Sequence, residues 1–237
     1  MTRLSVNINK IALIRNSRGS NYPDLIEVTK DCERFGAQGI TVHPRPDERH
    51  VKFSDLQPLK NIVTTEFNIE GYPDDHFMQQ VISIKPHQCT LVPDEPGQIT
   101  SDHGWDTIKN LEFLSERISE LKKNGIRVSL FIDPVEKLIE GAARSGADRI
   151  EYYTGPFAKE FPKDPAKAIK PIKQTIAIAK KNGLGINAGH DLNLQNLRYF
   201  KTNIPDLDEV SIGHAIICDA LYYGLENTIR LYLHELR

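Results

Sequence analysis

Only three cysteines, Cys32, Cys89 and Cys218, occur in 237 residues, far apart and outside any Cys-x-x-Cys pattern. That spacing argues against a disulfide framework and a structural zinc site, so all three are expected as small buried apolar residues. No apolar run approaches the ~20 residues that span a bilayer. The opening Met1-Thr-Arg-Leu-Ser-Val-Asn lacks the long apolar core of a secretory signal. A soluble, cytoplasmic protein without a membrane partner is expected. Neither sign of charge dominates: 30 basic and 32 acidic residues leave a net charge of -2, without the broad basic field that non-specific nucleic-acid binding needs. Any anion site must therefore be local.

What the chain does contain is an alternation. Short apolar runs fall at 4–8, 40–42, 66–69, 88–92, 128–132, 149–152, 184–187 and 210–212, each too short for a helix and most of them rich in residues that suit a pleated surface. Helical periods separate them. Leu111, Leu114, Ile118 and Leu121 recur at steps of three and four, as do Ile169, Ile172, Ile176 and Ala179, and each set marks one buried helix face. Pro134 suits a helix start. Gly36, Gly125, Gly146 and Gly183 stand just before the next strand, where a left-handed helix cap is needed. Eight such units with no linker or low-complexity segment predict one (β/α)8 barrel over residues 1–237, close to the ~250 residues typical of that fold. A doubly wound open sheet is the alternative.

In a barrel the ends of all eight strands converge on one mouth, which is where barrels keep their chemistry. The stretch Gly39-Ile-Thr-Val-His-Pro-Arg-Pro-Asp-Glu-Arg-His50 stops a strand between two prolines that cannot donate to a ladder. It carries His43, Arg45 and His50 on a stiff loop, although a solvated surface loop with chance charges would read similarly. The other strand ends supply Asn7, Asn9 and Lys10, then Glu70, Glu151, His190 and His214. Each alone reads as a structural group, and together on different strands they read as an acid–base site. His76, His87 and His234 fall elsewhere and are expected to be structural. Gly213 opens a helix directly after the last strand, so backbone N–H groups and the positive helix end face the mouth where barrels commonly hold phosphate. Arg15, Arg18 and Arg45 are candidate bidentate donors to it.

These residues closely resemble the pyridoxine 5'-phosphate synthase family. The resemblance is carried by Val6-Asn-Ile-Asn-Lys-Ile-Ala-Leu-Ile-Arg-Asn-Ser-Arg-Gly19, Gly39-Ile-Thr-Val-His-Pro-Arg45 with His50, Asn68-Ile-Glu70, Leu91-Val-Pro93, Val128-Ser-Leu-Phe-Ile-Asp133, Asn187-Ala-Gly-His190 and Ile212-Gly-His-Ala-Ile216. It implies a (β/α)8 barrel that condenses 3-amino-2-oxopropyl phosphate with 1-deoxy-D-xylulose 5-phosphate, releasing inorganic phosphate and water and closing the pyridine ring of vitamin B6. No metal or organic cofactor is implied, and the assembly that the resemblance implies is a homo-octamer. The resemblance makes His43 and Glu70 proton acceptors, His190 a proton donor and Glu151 a transition-state stabiliser. Asn7, Arg18, Gly213 and His214 would hold the amino ketone, while Arg45, His50 and Thr100 would hold the deoxyxylulose phosphate.

Two departures qualify it. The family often has Asp-His where this chain has Asn9-Lys10, and often Gly where it has Asp191, whose backbone could still meet substrate. Strand alternation would place Asn9 beside Asn7 in the cavity with Lys10 at its rim, as a replacement point charge for the deoxyxylulose substrate or as an ordinary solvated lysine. The segment 93–105 is long for its connection and aperiodic, the pattern of a lid. Two other function classes stay open: a metal-dependent barrel hydrolase or isomerase, disfavoured because strand one lacks a His-x-His pair and Arg45 would repel a cation, and a non-catalytic phosphate-binding module.

Overall fold

The structure is a computed structural model that describes residues 1–94 and 101–237. The chain runs β1 (Arg3–Asn7), α1 (Asn9–Asn16), α2 (Leu25–Arg34), β2 (Gly39–Val42), α3 (Phe53–Ile62), β3 (Glu66–Gly71), α4 (Asp75–Ile84) and β4 (Gln88–Leu91). It continues through α5 (Leu111–Lys123), β5 (Arg127–Ile132), α6 (Glu136–Arg144), β6 (Arg149–Tyr153), α7 (Gly155–Glu160) and α8 (Pro165–Lys181). It ends with β7 (Gly185–Gly189), α9 (Leu197–Asn203), β8 (Glu209–Ile212), α10 (His214–Tyr223) and α11 (Leu225–Glu235). Each strand pairs in parallel with the next, and β1 closes on β8 from Arg3↔Glu209 to Val6↔Ile212. The barrel expected from the alternation is present, and the open sheet is excluded. Among the described residues, extra helices follow β1, β6 and β8, which the simple count of units does not anticipate.

Successive side chains on a strand face opposite ways, and here the two faces differ sharply. The outward row, including Leu4, Val6, Ile40, Val42, Phe67, Ile69, Val128, Leu130, Ile150, Ile186, Val210 and Ile212, is fully buried between barrel and helices. Each such side chain contributes roughly 1.5–3 kcal/mol on leaving water. The helices answer with the expected faces: Leu114, Ile118 and Leu121 of α5 are buried, as are Ile169, Ile172 and Ala179 of α8. The inward row is polar instead. Ser5 bonds Thr41 (2.7 Å), Asn68 donates to Thr41 (3.4 Å), and Thr90 donates to Asn68 (3.1 Å), so the barrel's centre is stitched by hydroxyls and amides.

Gly36, Gly125, Gly146 and Gly183 all take positive φ, as the caps require. Three expectations are corrected. β1 ends at Asn7, so Asn9 and Lys10 are the first residues of α1 and not a continuation of the strand. Cys32 and Cys89 are buried, but Cys218 is half-buried on α10 with its Sγ 3.5 Å from His214 Nε2. Helix α6 begins at Glu136, two residues past Pro134. Residues 95–100 of the long β4–α5 connection, part of the segment 93–105 read as a lid, lie outside the described residues. Beyond them, Trp105 is buried and its indole N–H donates to the Leu91 carbonyl (3.0 Å).

Candidate active site

The C-terminal ends of the strands enclose a cavity of about 340 Å³. It brings together Asn7, Asn9, Lys10, His43, Arg45, His50, Glu70, Glu151, His190, Asp191, Gly213 and His214. Of the residues singled out from sequence, Arg18 lies apart, exposed on the turn after α1, and Thr100 falls outside the described residues. The cavity is also lined by Val92, Ser101, Phe131 and Ser211, which sequence reasoning missed. Val92, Phe131 and Ser211 each stand two positions after an inward polar residue, namely Thr90, Ser129 and Glu209, and that period was their signal.

The loop after β2 is not a solvated one. His43, Arg45 and His50 are all buried, and the reason lies in α1. Arg15 clamps Asp55 through two 2.8 Å hydrogen bonds, while the Asn16 amide donates to the carbonyls of Glu48, Arg49 and His50. Arg15 is thus a strut of this loop and not the phosphate donor expected of it. The first turn of α1 extends the same support: Asn7 Oδ1 accepts from the Asn9 N–H (3.0 Å), and Asn9 Oδ1 accepts from the His43 N–H (2.9 Å). Arg45 is paired with Asp94, which also accepts from the Ser101 hydroxyl (2.7 Å).

Glycine permits two close approaches. A Cβ at Gly189 would lie 2.3 Å from Glu151 Oε1, and one at Gly213 would lie 3.0 Å from Asn7. Larger residues there would push Glu151 and Asn7 out of place. Gly213 precedes the first residue of α10, as anticipated, so that helix N-terminus opens on the cavity. His87, expected to be structural, accepts from the Phe67 N–H (3.0 Å) at the far end of the barrel.

Electrostatics divides the cavity's groups into acids and bases. Burial, aided by the negative charge of Asp94, pushes the Glu70 carboxyl up to about 8, against a hydrogen bond from Ser211. Burial, with Glu70 and Glu209 nearby, pushes Glu151 well above the ordinary carboxylate range. The histidines move the other way. Burial, then the cation of Arg45, holds His43 well below its ordinary value and brings His50 down to about 4. At neutral pH the cavity therefore holds neutral imidazoles at His43 and His50 beside protonated carboxyls at Glu70 and Glu151, with His43 Nδ1 4.0 Å from Glu70 Oε2. Such a set can accept and donate protons on one bound molecule. Among the described residues, no group of three or more His, Cys, Asp or Glu side chains is gathered as for a metal ion.

Fold and site together define a (β/α)8-barrel enzyme of the acid–base class. Comparison with known proteins gives the particular family: the chain belongs to the one described as pyridoxal phosphate biosynthesis protein PdxJ, which it matches over residues 4–237. A relative from Cytophaga hutchinsonii named pyridoxine 5'-phosphate synthase is 65% identical over 237 residues, covering 100% of both chains. One of the same name from Bacteroides fragilis is 58% identical over the same span, again 100% of each. Among solved structures, phosphoribosyl anthranilate isomerase from Thermotoga maritima superposes with a TM-score of 0.63 at 12% identity, covering 100% of this chain and 98% of its own. Tryptophan synthase from M. tuberculosis gives a TM-score of 0.65 at 9% identity, covering 100% and 94%. At those identities the likeness concerns the barrel alone.

Proposed function

We propose that this chain acts as a pyridoxine 5'-phosphate synthase, condensing 3-amino-2-oxopropyl phosphate with 1-deoxy-D-xylulose 5-phosphate and releasing inorganic phosphate and water. The observation that carries the reading is the convergence, in one cavity, of every site residue implied by the family resemblance except Arg18 and Thr100. Membership of the family supports the same substrates.

The chemistry uses what the cavity holds. Amine attack on a ketone needs the amine deprotonated, and His43, kept neutral by burial and by Arg45, is a proton acceptor ready at neutral pH. Loss of water from the carbinolamine needs a proton delivered to the leaving hydroxyl, the role assigned to His190. Enolisation before ring closure removes a proton from carbon. Glu70, titrating at about 8, sits near the operating pH where a carboxylate is a stronger base than an ordinary glutamate. Glu151, protonated through burial, donates a hydrogen bond to oxygen as negative charge develops there, which stabilises the transition state.

Asn7, Gly213 and His214, beside the N-terminus of α10, hold the amino-ketone phosphate, with Arg18 assigned to it on the resemblance alone. Arg45 and His50, with Lys10 nearby, hold the deoxyxylulose phosphate, to which the resemblance adds Thr100. Asn9 serves first as the acceptor that fixes the His43 backbone, and Asp191 meets substrate through its main chain. The reading includes catalysis without a metal or organic cofactor, a cytoplasmic location and a homo-octameric assembly. No helix is long and apolar enough to cross a membrane among the described residues.

Incubation of the purified protein with both substrates should yield pyridoxine phosphate, with activity unchanged after exhaustive chelation. Absence of product from folded protein overturns the reading. Activity lost on chelation and restored by one divalent ion returns the metal-dependent alternative.

A further inference from the structure

His190 is held in an unusual way. It follows β7 directly and takes φ +91°, a conformation that a residue with a Cβ rarely adopts and that costs energy unless its surroundings enforce it. The surroundings are visible on both sides. The hydroxyl of Thr154, a fully buried residue just past β6, donates to the Gly189 carbonyl (2.6 Å) and accepts from the Asp191 N–H (3.3 Å). One side-chain oxygen thus spans the peptide groups before and after His190. Beyond it, the Asp191 carbonyl accepts from the buried Asn196 amide (3.2 Å), which ties down the exit of the loop.

The imidazole is held as well. Asp191 Oδ2 lies 2.8 Å from His190 Nδ1, and the ring packs edge-on against Tyr153 at 5.5 Å and tilted against Phe131 at 6.4 Å. An ionised carboxylate only accepts hydrogen bonds, so a neutral His190 bonded to it carries its proton on Nδ1 and leaves Nε2 as the nitrogen that first takes up a proton and then, from the imidazolium, delivers it to substrate.

We propose that Thr154 and Asp191 are positioning residues for His190: Thr154 brackets its strained backbone, and the Asp191 side chain sets the tautomer of its ring. This deepens the proposed function and rests on its assignment of His190 as proton donor. It also gives Asp191 a role for its side chain, which a glycine at that position would lack. The hydrogen bond that Asp191 accepts from His190 is in keeping with the lowering of that carboxyl below its ordinary range.

The experiment has two arms. In turnover, Thr154→Val removes the hydroxyl at nearly constant volume and should lower kcat about tenfold to a hundredfold, the scale of a misplaced catalytic group, with either KM within about twofold. Thr154→Ser should restore most of kcat. In ¹⁵N nuclear magnetic resonance of histidine-labelled protein, with the signal assigned by His190→Gln, the neutral ring of the parent should be protonated on Nδ1. Asp191→Ala should move the proton to Nε2. Equal kcat in Thr154→Val and the parent, or equal losses in the Val and Ser variants, overturns the bracket. An Nε2-protonated ring in the parent, or a tautomer unmoved by Asp191→Ala, overturns the role of Asp191. Full turnover in His190→Gln would instead sink the donor assignment while the resonance arm still decides the tautomer.

Discussion

The floor and the mouth of the barrel are built from the same kinds of side chain and use them differently. At the floor, where the strands begin, Glu66 is bound by Arg3 (2.8 Å) and by Arg127, Arg127 Nε also donates to Gln88 (2.9 Å), and Arg149 donates to Asn187 (3.0 Å). Glu209 lies 3.7 Å from Arg3 Nε. At the mouth, no salt bridge joins an arginine to Glu70 or Glu151 among the described residues, and Arg45 is engaged with Asp94. The outcome is legible in proton affinity. Glu209, as buried as Glu151, has the cations of Arg3, Arg149 and Arg127 opposing its rise to about 7, whereas the charged neighbours of Glu151 are the carboxyls of Glu70 and Glu209, which add to burial in pushing it well above the ordinary range. Paired charges at the floor hold the barrel together, and unpaired ones at the mouth are kept protonated and ready to react.

The largest effect that tests this contrast is at Glu70. Glu70→Gln is nearly isosteric and should keep the fold and both KM values while lowering kcat by about 10²–10⁴, the usual worth of a positioned acid or base. A rate within a few-fold of the parent would make Glu70 as structural as the floor carboxylates. The matching change at the floor is Glu66→Gln, which strands two arginine charges. Breaking a buried pair costs roughly 3–5 kcal/mol, and the solvent reaching both arginines reduces that to about 2 kcal/mol here. The melting temperature should fall by about 4–8 °C with kcat almost unchanged. A large loss of kcat at full stability would show that the floor takes part in chemistry.

The sequence made the barrel readable through its outward row. Triplets such as Phe67, Ile69 and Gly71, or Val128, Leu130 and Ile132, stand between helical periods and need no knowledge of the interior. The floor was not anticipated, because Glu66, Arg127, Arg149 and Glu209 sit at strand starts and pass for flanking surface charges. Their alternation with apolar neighbours, as in Glu66, Asn68 and Glu70, marks an inward polar face, the reverse of the branched apolar filling usual for such barrels. The mouth was readable where strands end in titratable groups. It was not readable in the partnerships: Arg15 and Arg18 look alike in sequence, but Arg15 is spent on Asp55 and Arg18 is exposed. Asp94, which engages Arg45 and raises Glu70, gave no signal at all.

The third test follows proton linkage, and its sign separates the two groups of the mouth. Glu70 moves from an ordinary 4.5 in the unfolded chain to about 8 when folded. The folded state then keeps a proton that the unfolded chain releases, so stability falls as pH rises from about 4.5 to 8. His43 and His50 are lowered, so below their ordinary 6.5 the unfolded chain takes up protons that the folded one refuses. Their contribution is lost as pH falls below about 6.5. Glu151 and Glu209, also raised, add to the fall, so above about pH 6.5, where the histidines no longer oppose it, stability should decline. Between pH 7 and 8, above the titration of Glu209, the decline belongs to the mouth. Glu70→Gln should remove about 1 kcal/mol of that decline between pH 7 and 8, becoming more stable than the parent at pH 8 while losing activity. Equal slopes for parent and variant in denaturant melts at pH 7, 7.5 and 8 would show that Glu70 is ionised when folded.

The smallest effect concerns Lys10, the one cavity cation besides Arg45 among the described residues. Arg45 is already paired, and no ion pair joins Lys10 to a described carboxylate, so its charge is the one available to an incoming anion at no cost in broken pairs. Its place at the start of α1, against the positive end of that helix dipole, adds to the attraction for phosphate. The alternative is a solvated rim lysine, for which an exposed pair is worth under ~1 kcal/mol. A charge-assisted hydrogen bond in a closed site is worth roughly 1.5–3 kcal/mol. Lys10 also helps to keep His50 uncharged, and His50 belongs with Arg45 to the deoxyxylulose side of the cavity, so that substrate is the one it should serve. Lys10→Met should raise KM for 1-deoxy-D-xylulose 5-phosphate about tenfold while leaving that for the amino ketone nearly unchanged. The effect should shrink as salt is raised, since screening competes with a point charge more than with a bidentate arginine. Small and equal changes in both KM values would return Lys10 to the solvent and leave Arg45, once released by Asp94, as the sole cation holding that phosphate.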